Sequence, residues 1–104
     1  MTQTEFNLIF ESQVNRCAMT KKNKEYTGNS PERLSAFKTA AALQECSPKR
    51  ALAGMMAKHI VSIYDMCYSD HKSFSLDVWD EKITDCLDYL FLLKAVVMEE
   101  QEEE

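Results

Sequence analysis

The sequence contains few of the residues that make turns. Its 104 residues include only two glycines and two prolines, whereas a β-rich domain places turn residues between most of its strands. The chain also lacks a run of about 18 apolar residues, the length that a membrane-spanning helix requires. With 45% hydrophobic residues it can still build a core. These features predict an all-α protein with no membrane span.

Closely spaced cysteine pairs are also absent. No Cys-x-x-Cys occurs among Cys17, Cys46, Cys67 and Cys86, so a zinc or dithiol redox site is not indicated. We expect four separate, reduced and mostly buried thiols in a cytosolic protein. The first residues lack the basic region of a signal peptide, so we expect a cytoplasmic protein.

Charge is unevenly distributed along the chain. Residues 1–60 carry nine Lys or Arg and five Glu, whereas residues 61–104 carry three Lys and twelve acidic residues. The last residues, 99–104, hold five glutamates, which oppose the dipole at a helix C-terminus. We therefore predict one helical domain over residues 1–98, followed by a poorly ordered acidic tail.

Apolar residues recur at helical spacing in four stretches. The pattern predicts a four-helix domain whose last two long helices are antiparallel, with helices near 3–22, 31–45, 48–68 and 77–98. Helix-start signals precede these stretches: the capping box Thr2-x-x-Glu5, then Ser30-Pro31-Glu32, then Ser47-Pro48, then Ser75 or Asp77.

The large apolar residues of the last two helices define the expected core. We predict that its members are Met55, Ile63, Trp79, Leu87 and Leu90. Gly54 lies inside the third helix, where we expect it to allow close contact with a neighbour. Apolar residues encircle much of the fourth helix, and a single four-helix core cannot cover this much apolar surface. We therefore expect a homo-oligomer, specifically a dimer.

Polar residues follow one side of each of these two helices. The expected polar seam consists of Lys58, Ser62, Asp65, Glu81, Asp85 and Asp88. Antiparallel packing would place Glu81 near Asp65, and Asp85 near Lys58 or Ser62. In one interpretation, the four carboxylates hold Mg²⁺ as a catalytic site. In the other, Lys58 pairs with Asp85 or Asp88 in a half-buried seam without metal.

Other candidate groups carry weaker signals. His59 lies beside the apolar side of the third helix, which is typical of a packed core histidine. No nucleophile–histidine motif and no glycine-rich phosphate loop occur. A basic patch at the end of the first helix, comprising Arg16, Lys21, Lys22 and Lys24, could contact nucleic acid or a protein partner, or could be an ordinary solvated face.

Three blocks of sequence resemble a family of small phage and prophage proteins. They are Glu32-Arg33-Leu34-Ser35-Ala36-Phe37-Lys38, the stretch from Gly54 to Met66, and Trp79-Asp80-Glu81-Lys82-Ile83-Thr84-Asp85-Cys86-Leu87-Asp88-Tyr89-Leu90. The resemblance covers roughly residues 26–97. It implies a small phage protein that acts in the cytoplasm of its host cell, and it assigns no activity.

A more distant likeness is to the all-α MazG-type nucleotide pyrophosphohydrolases. Their last metal motif is Glu-x-x-Asp ahead of an apolar run, which Asp85 and residues 87–93 resemble. Lys82 stands where the motif has its glutamate, however, and the family's earlier Glu-x-x-Glu has no counterpart. The likeness implies a shared all-α fold and, if activity is retained, Mg²⁺ dependence.

Two functions of different classes follow. The first is a non-enzymatic phage accessory protein that binds a host or phage protein, such as an anti-CRISPR protein that blocks an RNA-guided nuclease. The second is a divergent, metal-dependent nucleotide pyrophosphohydrolase that uses Asp65, Glu81, Asp85 and Asp88 with Mg²⁺. We favour the first, with no cofactor, by analogy with what small phage proteins do.

Overall fold

A computed structural model describes residues 1–20, 33–70 and 73–102. These residues form helices and no strand, which confirms the predicted all-α class. The helices are α1 (Gln3–Met19), α2 (Ser35–Gln44), α3 (Pro48–Tyr68) and α4 (Leu76–Glu102). None of these helices is long and apolar enough to cross a membrane.

The chain divides into two compact units, Met1–Pro31 and Glu32–Glu104. The first unit contains α1. Its capping box is formed as predicted: the Thr2 hydroxyl accepts from the Glu5 N–H at 3.1 Å, and the Glu5 carboxylate accepts from the Thr2 N–H at 3.3 Å. The helix ends at Met19. The predicted helix extended to residue 22, and residues 21 and 22 lie outside the described residues.

In the second unit, serine hydroxyls cap two helices as predicted. Ser47 accepts from the Arg50 N–H at 3.3 Å, with Pro48 in the first turn of α3, and Ser75 accepts from the Val78 N–H at 3.3 Å. Helix α2 begins at Ser35, later than the predicted residue 31. The predicted start signal Ser30-Pro31-Glu32 lies outside the described residues.

The core of the second unit forms where α2, α3 and α4 meet. Leu52 on α3 is fully buried, and its cluster includes Leu34, Phe37, Leu92 and Val96. Full burial of one such side chain stabilises the fold by about 1.5–3 kcal/mol. Lys49 near the start of α3 pairs with Glu100 near the end of α4, whereas His59, further along α3, lies by Asp85, nearer the start of α4. These pairings confirm that the last two helices are antiparallel.

Helix α4 is rotated relative to the sequence prediction. Its buried residues are Thr84, Cys86, Asp88, Leu92 and Val96. Leu90 is 47% exposed, so its assignment to the core is wrong. Met55, Ile63, Trp79 and Leu87 are half-buried. The error arises because α4 carries apolar residues on two sides, and periodicity alone does not tell which side meets α2 and α3.

Gly54 and the C-terminal segment also differ from expectation. A Cβ atom added to Gly54 would meet no other atom within 4 Å, so the predicted close contact is wrong. Helix α4 continues to Glu102, and its end is held by two ion pairs, Lys38–Glu99 and Lys49–Glu100. The helix therefore ends later than the predicted residue 98. The lysines of α2 and α3 supply the positive charge that the helix end lacks.

Candidate functional site

The polar residues between α3 and α4 centre on His59. Its Nδ1 lies 3.8 Å from Oδ2 of Asp85, and its ring packs against Tyr89 with the ring centroids 5.1 Å apart. The Asp85 carboxylate therefore has an imidazole partner where the sequence predicted Lys58 or Ser62. His59 is a packed, paired residue that links the two helices, which agrees with its sequence assignment.

The other predicted seam residues do not converge on this pair. Lys58, Asp65 and Glu81 are exposed, and Ser62 is half-buried. Lys58 and His59 are adjacent in the chain, so their side chains point about 100° apart around the helix axis. That rotation places the imidazole against α4 and leaves the ammonium in solvent, so a half-buried Lys58 is a wrong prediction.

Asp88 is the most deeply buried carboxylate of the described residues, with 1% of its surface exposed. It lies one turn beyond Thr84, which is also buried, on the face of α4 that meets the core. Burying a carboxylate without a partner is costly, and Asp88 does have an interaction partner. Asp88 therefore lies in the packed interior and not in an open site.

The four carboxylates of the hydrolase interpretation do not form a metal site. Asp65 and Glu81 are exposed, whereas Asp85 is half-buried and Asp88 buried. Within residues 1–20, 33–70 and 73–102, no three or more His, Cys, Asp or Glu side chains are grouped so that they could hold a metal ion. A metal-activated water, which nucleotide pyrophosphohydrolysis would need, has no ligand set there.

The thiols do not form a site either. All four cysteines are free; Cys17 and Cys86 are buried, Cys46 is half-buried and Cys67 is exposed. The expectation of separate thiols is confirmed, but only two of them are buried. Burial, and next the charge of Asp85, raise the pKa of Cys86, while Lys82 lowers it. The net increase makes Cys86 a poor nucleophile near neutral pH.

Of the predicted basic patch, only Arg16 is described, and it is exposed in the last turn of α1. Lys21, Lys22 and Lys24 lie outside the described residues. The patch as a contact for nucleic acid or protein therefore stays a prediction.

A cavity of about 320 Å³ lies where α2, α3 and α4 come together at the C-terminal end of α4. Its apolar lining comes from Leu34, Pro48 and Val96, and Lys38, Glu99 and Glu100 contribute polar groups. Lys38 pairs with Glu99, and Glu100 pairs with Lys49, so these charges are already matched. The cavity is therefore lined mainly by apolar side chains, and the charged groups at its edge are already paired within the protein.

The exposed side of α3 carries an aromatic and aliphatic surface that the sequence reasoning missed. This tyrosine patch consists of Ile60, Val61, Tyr64 and Tyr68, all exposed. The two tyrosine rings stack with centroids 4.6 Å apart, and the Tyr64 hydroxyl donates to the Tyr68 hydroxyl at 3.3 Å. That hydrogen bond, and next desolvation, raise the pKa of Tyr64. The signal in the sequence is the i, i+4 spacing of the tyrosines.

Comparison of the chain with protein-family profiles, with curated proteins and with solved structures gave no match. The resemblances to phage proteins and to nucleotide pyrophosphohydrolases stay predictions.

Proposed function

We propose that this chain is a non-enzymatic phage accessory protein that acts by binding another protein. The tyrosine patch on α3 is the observation that carries the proposal. Tyr68 is 70% exposed and its ring is stacked on Tyr64, so the two rings present a wide, pre-ordered contact surface. Tyrosine is enriched at the energetic centres of protein interfaces because its ring is apolar and its hydroxyl forms hydrogen bonds.

The chemistry around the patch favours a protein partner. Ile60 and Val61 extend the apolar surface next to the rings, and Asp65 adds a negative charge at its border. Nucleic acid would be repelled by that carboxylate, whereas a protein surface with an apolar pocket and a basic rim complements the whole patch.

The resemblance to phage proteins suggests which partner to test first. We propose an inhibitor of host defence, such as an anti-CRISPR protein that blocks an RNA-guided nuclease. The acidic character of residues 61–104 supports this class, because such a nuclease holds nucleic acid in a positively charged channel.

The alternative, a divergent Mg²⁺-dependent nucleotide pyrophosphohydrolase, lacks a supporting arrangement of carboxylates among the described residues. Its test is thermal unfolding with and without Mg²⁺ or Mn²⁺, since a ligand that binds the folded state raises Tm. A rise in Tm together with nucleotide hydrolysis that Asp85→Ala abolishes would favour the enzyme.

The binding proposal is tested by target-DNA cleavage. An RNA-guided nuclease of the host is incubated with increasing amounts of the protein, and the cleavage rate is measured. We expect the inhibition to saturate at one chain per nuclease binding site. The double variant Tyr64→Ser/Tyr68→Ser should inhibit at least tenfold more weakly than the wild type. Loss of two interface tyrosines removes more than about 2 kcal/mol in typical interfaces, which exceeds a factor of ten.

The control is Leu43→Ala, which truncates a large exposed side chain on α2, away from the tyrosine patch. This variant should inhibit like the wild type. Equal inhibition by the tyrosine variant would assign binding to another surface. No inhibition of the nucleases of a phage-susceptible host would refute the anti-CRISPR assignment.

A further inference from the structure

A second apolar surface follows the outward side of α4. Its apolar members are Leu76, Ile83, Leu87, Leu90 and Val97, separated by seven, four, three and seven residues; Leu76, Ile83 and Leu90 are exposed, and Leu87 and Val97 are half-buried. Leu90 and Leu92 are two residues apart, so they lie about 200° from one another around the axis. Leu92 is in the core of the second unit with 7% exposure, whereas Leu90 points outward. We call this outward surface the α4 stripe.

The spacing of the α4 stripe is that of a helix which pairs with another helix. Leu76, Ile83, Leu90 and Val97 recur every seven residues, and Leu87 lies between two of them. A seven-residue repeat of this kind keeps one seam facing a partner along its length. Between Leu76 and Val97 the stripe is about 32 Å long. An isolated exposed leucine needs no explanation, but a continuous seam of this length does.

Two charges within the α4 stripe specify the orientation of that partner. Asp80, which is half-buried, and Lys94, which is exposed, lie seven residues before and seven residues after Leu87 on the same side of the helix. In a parallel pair of α4 helices, Asp80 would face Asp80 and Lys94 would face Lys94, and both contacts are repulsive. In an antiparallel pair centred on Leu87, each Asp80 faces Lys94 of the second copy.

The apolar residues fit the same symmetry. With Leu87 on the two-fold axis, Ile83 comes level with Leu90 of the second copy to within one residue. Leu76 comes level with Val97 of the second copy to within one residue as well. Every large apolar residue of the α4 stripe then meets another, as a closed two-fold interface requires.

We propose that a second copy of this chain binds the α4 stripe, forming an antiparallel dimer about a two-fold axis at Leu87. The tyrosine patch of the proposed function lies on α3 and is not part of this seam. The dimer therefore presents two tyrosine patches and does not depend on the proposed function.

The mass in solution is measured by sedimentation over a range of micromolar concentrations. Wild-type protein should sediment at twice the chain mass of 12.0 kDa. Leu87→Asp places two carboxylates together on the axis and should yield a monomer with unchanged helix content by circular dichroism. A wild-type monomer at the highest concentration would overturn the proposal.

Charge exchange tests the orientation. Lys94→Asp alone puts aspartates opposite each other in two places of the antiparallel dimer and should raise its Kd about tenfold, since two ion pairs are lost and replaced by repulsion. Adding Asp80→Lys restores both pairs and should return Kd to near the wild-type value. A parallel dimer would tolerate Lys94→Asp alone, because it only replaces one like-charge contact with another, and that result would overturn the antiparallel arrangement.

Discussion

Leu92→Ala and Leu90→Ala form a matched test of how α4 is rotated. Both variants remove the same atoms from the same helix two residues apart. Leu92 is 7% exposed within the cluster that contains Leu52 and Val96, whereas Leu90 is 47% exposed. Truncating a buried leucine removes its transfer free energy and leaves a cavity, so Leu92→Ala should cost about 2–5 kcal/mol. Leu90→Ala should cost under about 1 kcal/mol, because much of its surface already meets water.

The assay is urea unfolding followed by circular dichroism. Association through the α4 stripe adds stability only at high protein concentration, so both variants are first compared with the wild type at the lowest concentration that gives a signal. At that concentration only Leu92→Ala should lower the midpoint strongly. At high protein concentration Leu90→Ala should also lower the midpoint, because it weakens association through the α4 stripe. An equal cost for the two variants in dilute protein would refute the assigned rotation of α4.

Three further predictions concern single side chains. Gly54→Ala should stabilise the fold by about 1 kcal/mol, because alanine favours the helix interior and the added Cβ has open space, and a lower Tm would contradict this. His59→Ala should cost about 1–3 kcal/mol in urea unfolding and Lys58→Ala under about 0.5 kcal/mol, because only the imidazole packs and pairs across α3 and α4; equal costs would argue against that pairing. In timed thiol labelling at neutral pH, exposed Cys67 should react well before Cys86, whose raised pKa keeps it protonated. The difference should shrink as pH rises through the pKa of Cys86, and faster labelling of Cys86 at neutral pH would contradict its burial.

The all-α class and the starts of α1 and α3 could be predicted from the sequence because local signals determine them. Ser47-Pro48 predicted the start of α3, and the capping box at Thr2 predicted the start of α1. These signals work over one turn of chain and need no knowledge of tertiary packing. The end of α4 could not be predicted in this way, because lysines from α2 and α3 hold Glu99 and Glu100 there.

For the candidate sites, too, the sequence predicted local patterns but not the packing that brings side chains together. A pattern of carboxylates on two helices suggested a seam, but the rotation of each helix decides which of them meet. One residue of rotation brought His59 rather than Lys58 to Asp85. The two apolar sides of α4 are equally visible in the sequence, and which side packs inward depends on α2 and α3. The tyrosine patch became apparent only when the exposed side of α3 was known.

Co-purification from a bacterial lysate tests most directly whether the chain acts, as we propose, as a binding protein through α3. Tagged wild type, the Tyr64→Ser/Tyr68→Ser variant and Leu43→Ala are isolated in parallel, and the retained proteins are quantified by mass spectrometry. We predict one partner that is retained in a fixed ratio by the wild type and by Leu43→Ala, and that the tyrosine variant loses. Equal retention by the tyrosine variant, or Mg²⁺-dependent nucleotide turnover without any retained partner, would contradict the account.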